Sequence, residues 1–145
     1  MENLAKISCD LSPTNPSSNL QIEVWIDNNK IFDNYITEHR HIEYRISDDD
    51  EREHEIKFVL KNKTDADTIV DELGAIIKDS LINITNIKFD DIDLGYIVNQ
   101  LSVYRHNHNG HSNWADEKFY GSMGCNGILT LKFTTPIYLW LLENM

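Results

Sequence analysis

Along most of the chain, apolar and polar residues change places one by one. In Gln21–Asp27, Ile22, Val24 and Ile26 alternate with Glu23, Trp25 and Asp27, the period of two that marks a half-buried strand. Asp27-Asn28-Asn29-Lys30 supplies turn residues and predicts that Ile31–Ile36 returns as the next strand. The alternation recurs through Ile42, Tyr44 and Ile46 in His41–Ser47, and through Ile56, Phe58 and Leu60 in Glu53–Lys61. It recurs again in Gly127–Thr134, where Leu129, Leu131 and Phe133 point inward. Leu81–Phe89 reads as a long strand in which Ile82 and Ile84 fall on one parity and Ile87 and Phe89 on the other, so a bulge is expected near Asn86. Tyr96–Tyr104 and Glu117–Tyr120 are weaker strand candidates. Short alternating segments separated by polar turns predict an all-β fold, a jelly-roll-like antiparallel β-sandwich.

Three stretches depart from that rhythm. Ser12–Asn19, "SPTNPSSN", holds two of the three prolines among small polar residues, so residues 1–19 read as an N-terminal arm or lead-in and 20–145 as the sandwich domain. Asp67–Asp79, "DTIVDELGAIIKD", can place Ile69, Val70, Leu73, Ile76 and Ile77 on one helical face, or split into two β-branched runs about a turn. Gly74 and the density of Ile and Val favour the hairpin. In the tail, "TTPIYLWLLENM", Thr135 reads as a helix N-cap with Pro136 at the first helical position. A short apolar helix or strand there must dock on something. Either it closes the domain's own core, or Trp140 and its neighbours anchor a partner subunit.

A chain of 145 residues with 41% hydrophobic and 26% charged residues is the size and composition of one globular domain. The formal net charge of −11, with lysines and arginines scattered, argues against nucleic-acid binding. No apolar run approaches the ~20 residues of a membrane-spanning helix, and "MENLAKISCD" lacks the basic start and apolar centre of a secretory signal. The expectation is a protein made in a cytoplasm, with Cys9 and Cys125 as reduced, buried thiols.

The candidate chemistry is sparse. "RHNHNGHSNW" sets His106, His108 and His111 beside Trp114. His106 and His108 share a face if the segment is a strand, and Asp116 or Glu117 could complete a transition-metal shell. The Asn-Gly turn points instead to a solvated loop, in which Trp114 could stack on a sugar ring. The turn Asp48-Asp49-Asp50-Glu51 with Glu53 and Glu55, and the triad Asp90, Asp91 and Asp93 in "FDDIDLG", are acidic enough to hold calcium, or to be plain solvated turns. His39, His41 and His54 sit among charged residues and read as surface. The glycines of "YGSMGCNG" match no nucleotide-binding fingerprint, and Cys125 reads as structural rather than nucleophilic.

Ile22–Thr64 resembles the first half of calcium-dependent, xylan-binding-like carbohydrate-binding modules, with "EHEIKFVL" similar to one of their strand phrases. "LINITNIKFDDIDL" resembles a later strand. The whole chain, through its "KFYGSMGCNGILTLKFTTPIYLWLLENM" ending, is similar to small uncharacterised virion-associated proteins of contractile-tailed marine phages. That resemblance implies a non-enzymatic virion structural or decoration protein, held by contacts with other virion proteins or by self-assembly, with Pro136, Tyr138, Trp140 and Leu141 as the partner-binding segment. The module resemblance implies an alternative, calcium-assisted adhesion to host glycans through His111, Trp114, Asp116 and Glu117.

Overall fold

In the computed structural model, which describes residues 3–145, the alternating runs are strands of two antiparallel sheets packed face to face. The strands are β1 (Leu4–Pro13), β2 (Gln21–Ile26), β3 (Asn29–Tyr35), β4 (Arg40–Ser47) and β5 (Glu53–Lys61), then a hairpin of β6 (Thr68–Val70) and β7 (Ile76–Asp79). There follow β8 (Ile82–Phe89), β9 (Ile92–Asp93), helix α1 (Tyr96–Leu101), β10 (Val103–His106), β11 (Ala115–Glu117), β12 (Ser122–Met123), β13 (Gly127–Thr134) and helix α2 (Ile137–Asn144). One sheet has the order β12-β8-β1-β4, with β9 paired to β8, and the other β11-β10-β13-β5-β2-β3. The chain crosses repeatedly from one sheet to the other, and inward residues of both meet in one core that includes Ile7, Leu11, Ile22, Phe58, Ile82, Phe89, Leu131 and Phe133.

Asn86 is left-handed at φ 52°, and the pairing of β1 with β8 slips between Ser8 and Asp10. This bulge lets Ile82, Ile84, Ile87 and Phe89 all face inward despite their parity. Gly127 is required where β10 lies close, because a Cβ there would sit 2.4 Å from the carbonyl oxygen of Arg105.

Several expectations are corrected. Within the expected arm of residues 1–19, Leu4–Pro13 is instead a strand interior to its sheet, paired with β4 and β8. Its inward positions Ala5, Cys9 and the neighbouring Ser8 are small, which blurred the alternation. Tyr96–Leu101 is helical, not extended, and Leu94, Ile97 and Val98 are the buried positions at helical spacing. The strand expected at Glu117–Tyr120 ends at Glu117, and only Phe119 beyond it returns to the core.

The tail is a helix, capped differently from the expected pattern. Pro136 is the cap residue and Ile137 the first helical one. Thr135 still belongs to the sheet end, its backbone N–H donating to the Arg52 carbonyl at 3.2 Å. The carboxylate of Asp48 satisfies the orphan helix N–H of Ile137 at 2.8 Å. Of the expected partner-binding residues, Trp140 and Leu141 are buried in the chain's own core, with the Trp140 ring 5.5 Å from Phe89 and 6.1 Å from Phe133. Tyr138 remains exposed.

Candidate functional site

The histidine-rich loop joins β10 to β11. Alternation along β10 turns Tyr104 and His106 inward and Val103 and Arg105 outward. Across the ladder, Glu117 is paired with Tyr104 and Asp116 with Arg105, so the two acidic residues stand on opposite faces of the ribbon. Glu117 accepts from His106 Nε2 at 2.8 Å and lies 3.4 Å from His108 Nε2, while Asp116 binds Arg105 at 2.9 Å. His111 leaves the group and meets Asp65 at 3.0 Å.

His106, His108 and Glu117 therefore bring three potential ligand atoms within 4.8 Å of one another. The hydrogen bonds in place oppose metal ligation. The backbone N–H of His108 donates to His106 Nδ1 at 3.1 Å, so a neutral His106 carries its proton on Nε2 and donates it to Glu117. A ligating histidine needs the reverse, a lone pair on the metal side and a donor on the other. Calcium fits no better at the expected residues. Asp90 accepts from the Lys6 backbone at 2.8 Å, Asp91 pairs with Lys6 Nζ at 2.7 Å, and Asp93 accepts from Gly95 N at 2.8 Å, so each carboxylate is spent on a different protein group. Asp116 and Glu117 face apart, so the residues expected to bind a glycan are engaged separately, His111 with Asp65, Asp116 with Arg105 and Glu117 with His106. Trp114 is exposed.

The acidic turn before β5 is a latch. His54, expected at the surface, is 2% exposed and stacks 5.5 Å from Phe133. Its Nδ1 lies 2.8 Å from Asp27 and its Nε2 3.1 Å from Asp50, so both ring nitrogens have a carboxylate partner. Burial would raise the Asp50 carboxyl, but hydrogen bonds from Thr135, His54 and Arg52 outweigh it and hold it at about 2. Asp50 and Asp48 thus tie the turn to Thr135 and α2. The signal for His54 was present in the sequence: it shares the parity of Ile56, Phe58 and Leu60. Cys9 is buried and pushed up to about 12 by that burial, and burial also raises Cys125, the opposite of what activates a thiol nucleophile.

Two uncovered surfaces are apolar. The β6–β7 hairpin, expected from Gly74 and the β-branched runs, forms a two-stranded sheet of its own. Its root is fixed: the buried Lys63 ammonium binds Asp79 at 2.6 Å, and Thr68 donates to the same oxygen at 2.7 Å. Its tip is fixed too, with Asp71 accepting from the backbones of Leu73 and Ala75 at 2.9 Å each. Between root and tip, Ile69, Val70, Ile76 and Ile77 are exposed, and Leu73 at the tip is 94% exposed. Nothing in the hydrophobic count marked these residues as different from core. On the outer face of the larger sheet lies an open groove of about 500 Å³ with Leu101, Val103 and Ile128 on its floor.

Among the described residues no helix is long and apolar enough to cross a membrane. Compared with known protein families, curated proteins and solved structures, the chain matches none.

Proposed function

We propose that this β-sandwich is a non-enzymatic structural or decoration component of a phage particle, attached through protein–protein contacts. One observation carries the reading: a hairpin braced at root and tip presents five apolar side chains to solvent. A free two-stranded hairpin is marginal in water, and a clustered apolar surface on a soluble domain marks an interaction site. The polar groups support a non-catalytic role, since His54, Asp27, Asp50 and Thr135 are bonded to one another at the turn that leads into α2, and burial raises both thiols. The attachment surface moves accordingly, from the C-terminal segment to the hairpin. The virion setting rests on the resemblance of the whole chain.

The test is incorporation of the protein into assembling particles. Leu73→Asp with Ile77→Asp should leave circular dichroism and the thermal melt unchanged and reduce incorporation at least roughly tenfold, as expected for loss of central apolar anchors. Unchanged incorporation would overturn the reading.

A second reading, adhesion to host glycans, is favoured by Trp114, whose indole is 53% exposed on the loop after β10. Binding on a glycan array that is lost with Trp114→Ala would support it. Because Asp116 and Glu117 are already paired, chelators should leave such binding intact.

A further inference from the structure

The hairpin and the groove are complementary. The hairpin is apolar along its length and acidic at its turn, where Glu72 makes no ion pair among the described residues. The groove floor is apolar, with Leu101 40%, Val103 42% and Ile128 38% exposed. Its rim carries Lys57, Arg105 and Lys132. Lys57 has Glu55 at 3.5 Å and Arg105 has Asp116 at 2.9 Å, whereas Lys132, across the ladder from Glu55, forms no ion pair among the described residues. On a chain of net charge −11, an apolar trough whose rim holds more cations than carboxylates complements an apolar finger with a glutamate at its turn.

The two surfaces do not meet within one molecule. The hairpin residues are exposed, and none of them lines the groove. We infer that the hairpin of one copy docks in the outer-sheet groove of a second copy, with Leu73 and its neighbours over Leu101, Val103 and Ile128 and Glu72 near Lys132. Finger and groove are different surfaces, so the contact is heterologous and repeats from copy to copy, closing into a ring or running on as a filament. The inference rests on the attachment reading and narrows it by naming the occupant. A patch of this size belongs to the weak, transient class, below about 1,200 Å², and gains strength when many copies are held together.

Sedimentation of the full chain tests it. The wild type should show a weight-average mass above one chain at concentrations of roughly 0.1–1 mM, the weak end of specific association. Leu73→Asp (finger lost) and Ile128→Asp (groove lost) should each remain monomeric alone with unchanged circular dichroism. Mixed together they should form a one-to-one dimer that grows no further, because only one finger and one groove survive. Glu72→Lys or Lys132→Glu alone should weaken association about threefold or more, and the two changes in one chain should restore it. A monomeric wild type, or a mixture of the two aspartate variants that stays monomeric, overturns the inference. So does an Ile128→Asp chain that associates like wild type, which would mean that fingers pair with fingers. If self-association fails while Leu73→Asp still abolishes particle incorporation, the attachment reading stands and another virion protein is the occupant. If self-association holds while incorporation is indifferent to the finger, that reading fails instead.

Discussion

His54 is stacked on the Phe133 ring and held by Asp27 on one ring nitrogen and Asp50 on the other. The sequence surrounds His54 with acidic residues, which suggests solvent, whereas its parity on β5 assigns it to the core. Parity prevails because a strand offers two faces only, and the carboxylates that partner the buried ring come from the turn before β5 and from the residue after β2. The consequence is a pH dependence with a definite sign. Asp50 has an ordinary pKa of 3.8 and is lowered to about 2 in the folded protein, so its contribution is fully present above about pH 4 and is lost as pH falls through 2. Urea midpoints of the wild type and of Asp50→Asn should therefore differ most at pH 5 and converge towards pH 2. A gap that stays constant over that range would show that the carboxylate does not act through its charge. The same scale explains the loop histidines. The pairings of Glu117 with His106 and Asp116 with Arg105 depend on which residues face across the β10–β11 ladder, and that register is invisible in "RHNHNGHSNW".

Among the elements, α2 shows how far an apolar run can be read. The sequence predicts a short helix after Thr135 that needs a surface to dock on. Partner anchor and core plug both fit that reading, and a truncation before Pro136 separates them, because it leaves a folded domain if the helix serves a partner. With Ile137, Trp140 and Leu141 buried, that truncation should instead destabilise the sandwich. Trp140→Ala alone should cost about 3–5 kcal/mol, the range for removing a large aromatic from a core, measured by denaturant unfolding. A loss below ~1 kcal/mol would place the ring outside the core. The choice between fates lay beyond the sequence because a face that buries against its own chain and one that buries against another have the same composition. The β6–β7 hairpin is the reverse case: Ile69, Val70, Ile76 and Ile77 read as ordinary strand residues, yet the two sheets close without them.

For the molecule as a whole, the uneven distribution of packing should appear in hydrogen exchange. β1, β5 and β13 lie inside their sheets with partners on both sides, so their amides should open only with global unfolding. The amides of Ile69 to Ile77 should exchange orders of magnitude faster in the monomer and slow down at concentrations where copies associate. Uniform protection would contradict the view of the hairpin as an appendage. By itself the sequence determined the all-β class, most of the strands and the bulge near Asn86; it favoured the hairpin over a helix at 67–79 and left the apolar tail as helix or strand. Each of these follows from local alternation, turn chemistry or spacing within a few residues. It did not determine that residues 4–13 run between β4 and β8, that His54 and Trp140 are interior, or that the acidic turn caps α2. It also left the acidic clusters unspent and the hairpin unassigned to core or surface. Those were decided by contacts such as Ile7 with Phe89 and Asp48 with Ile137, between residues far apart in the chain. Side-chain chemistry says only that such a residue needs a partner, and the closing of two sheets decides which partner is within reach.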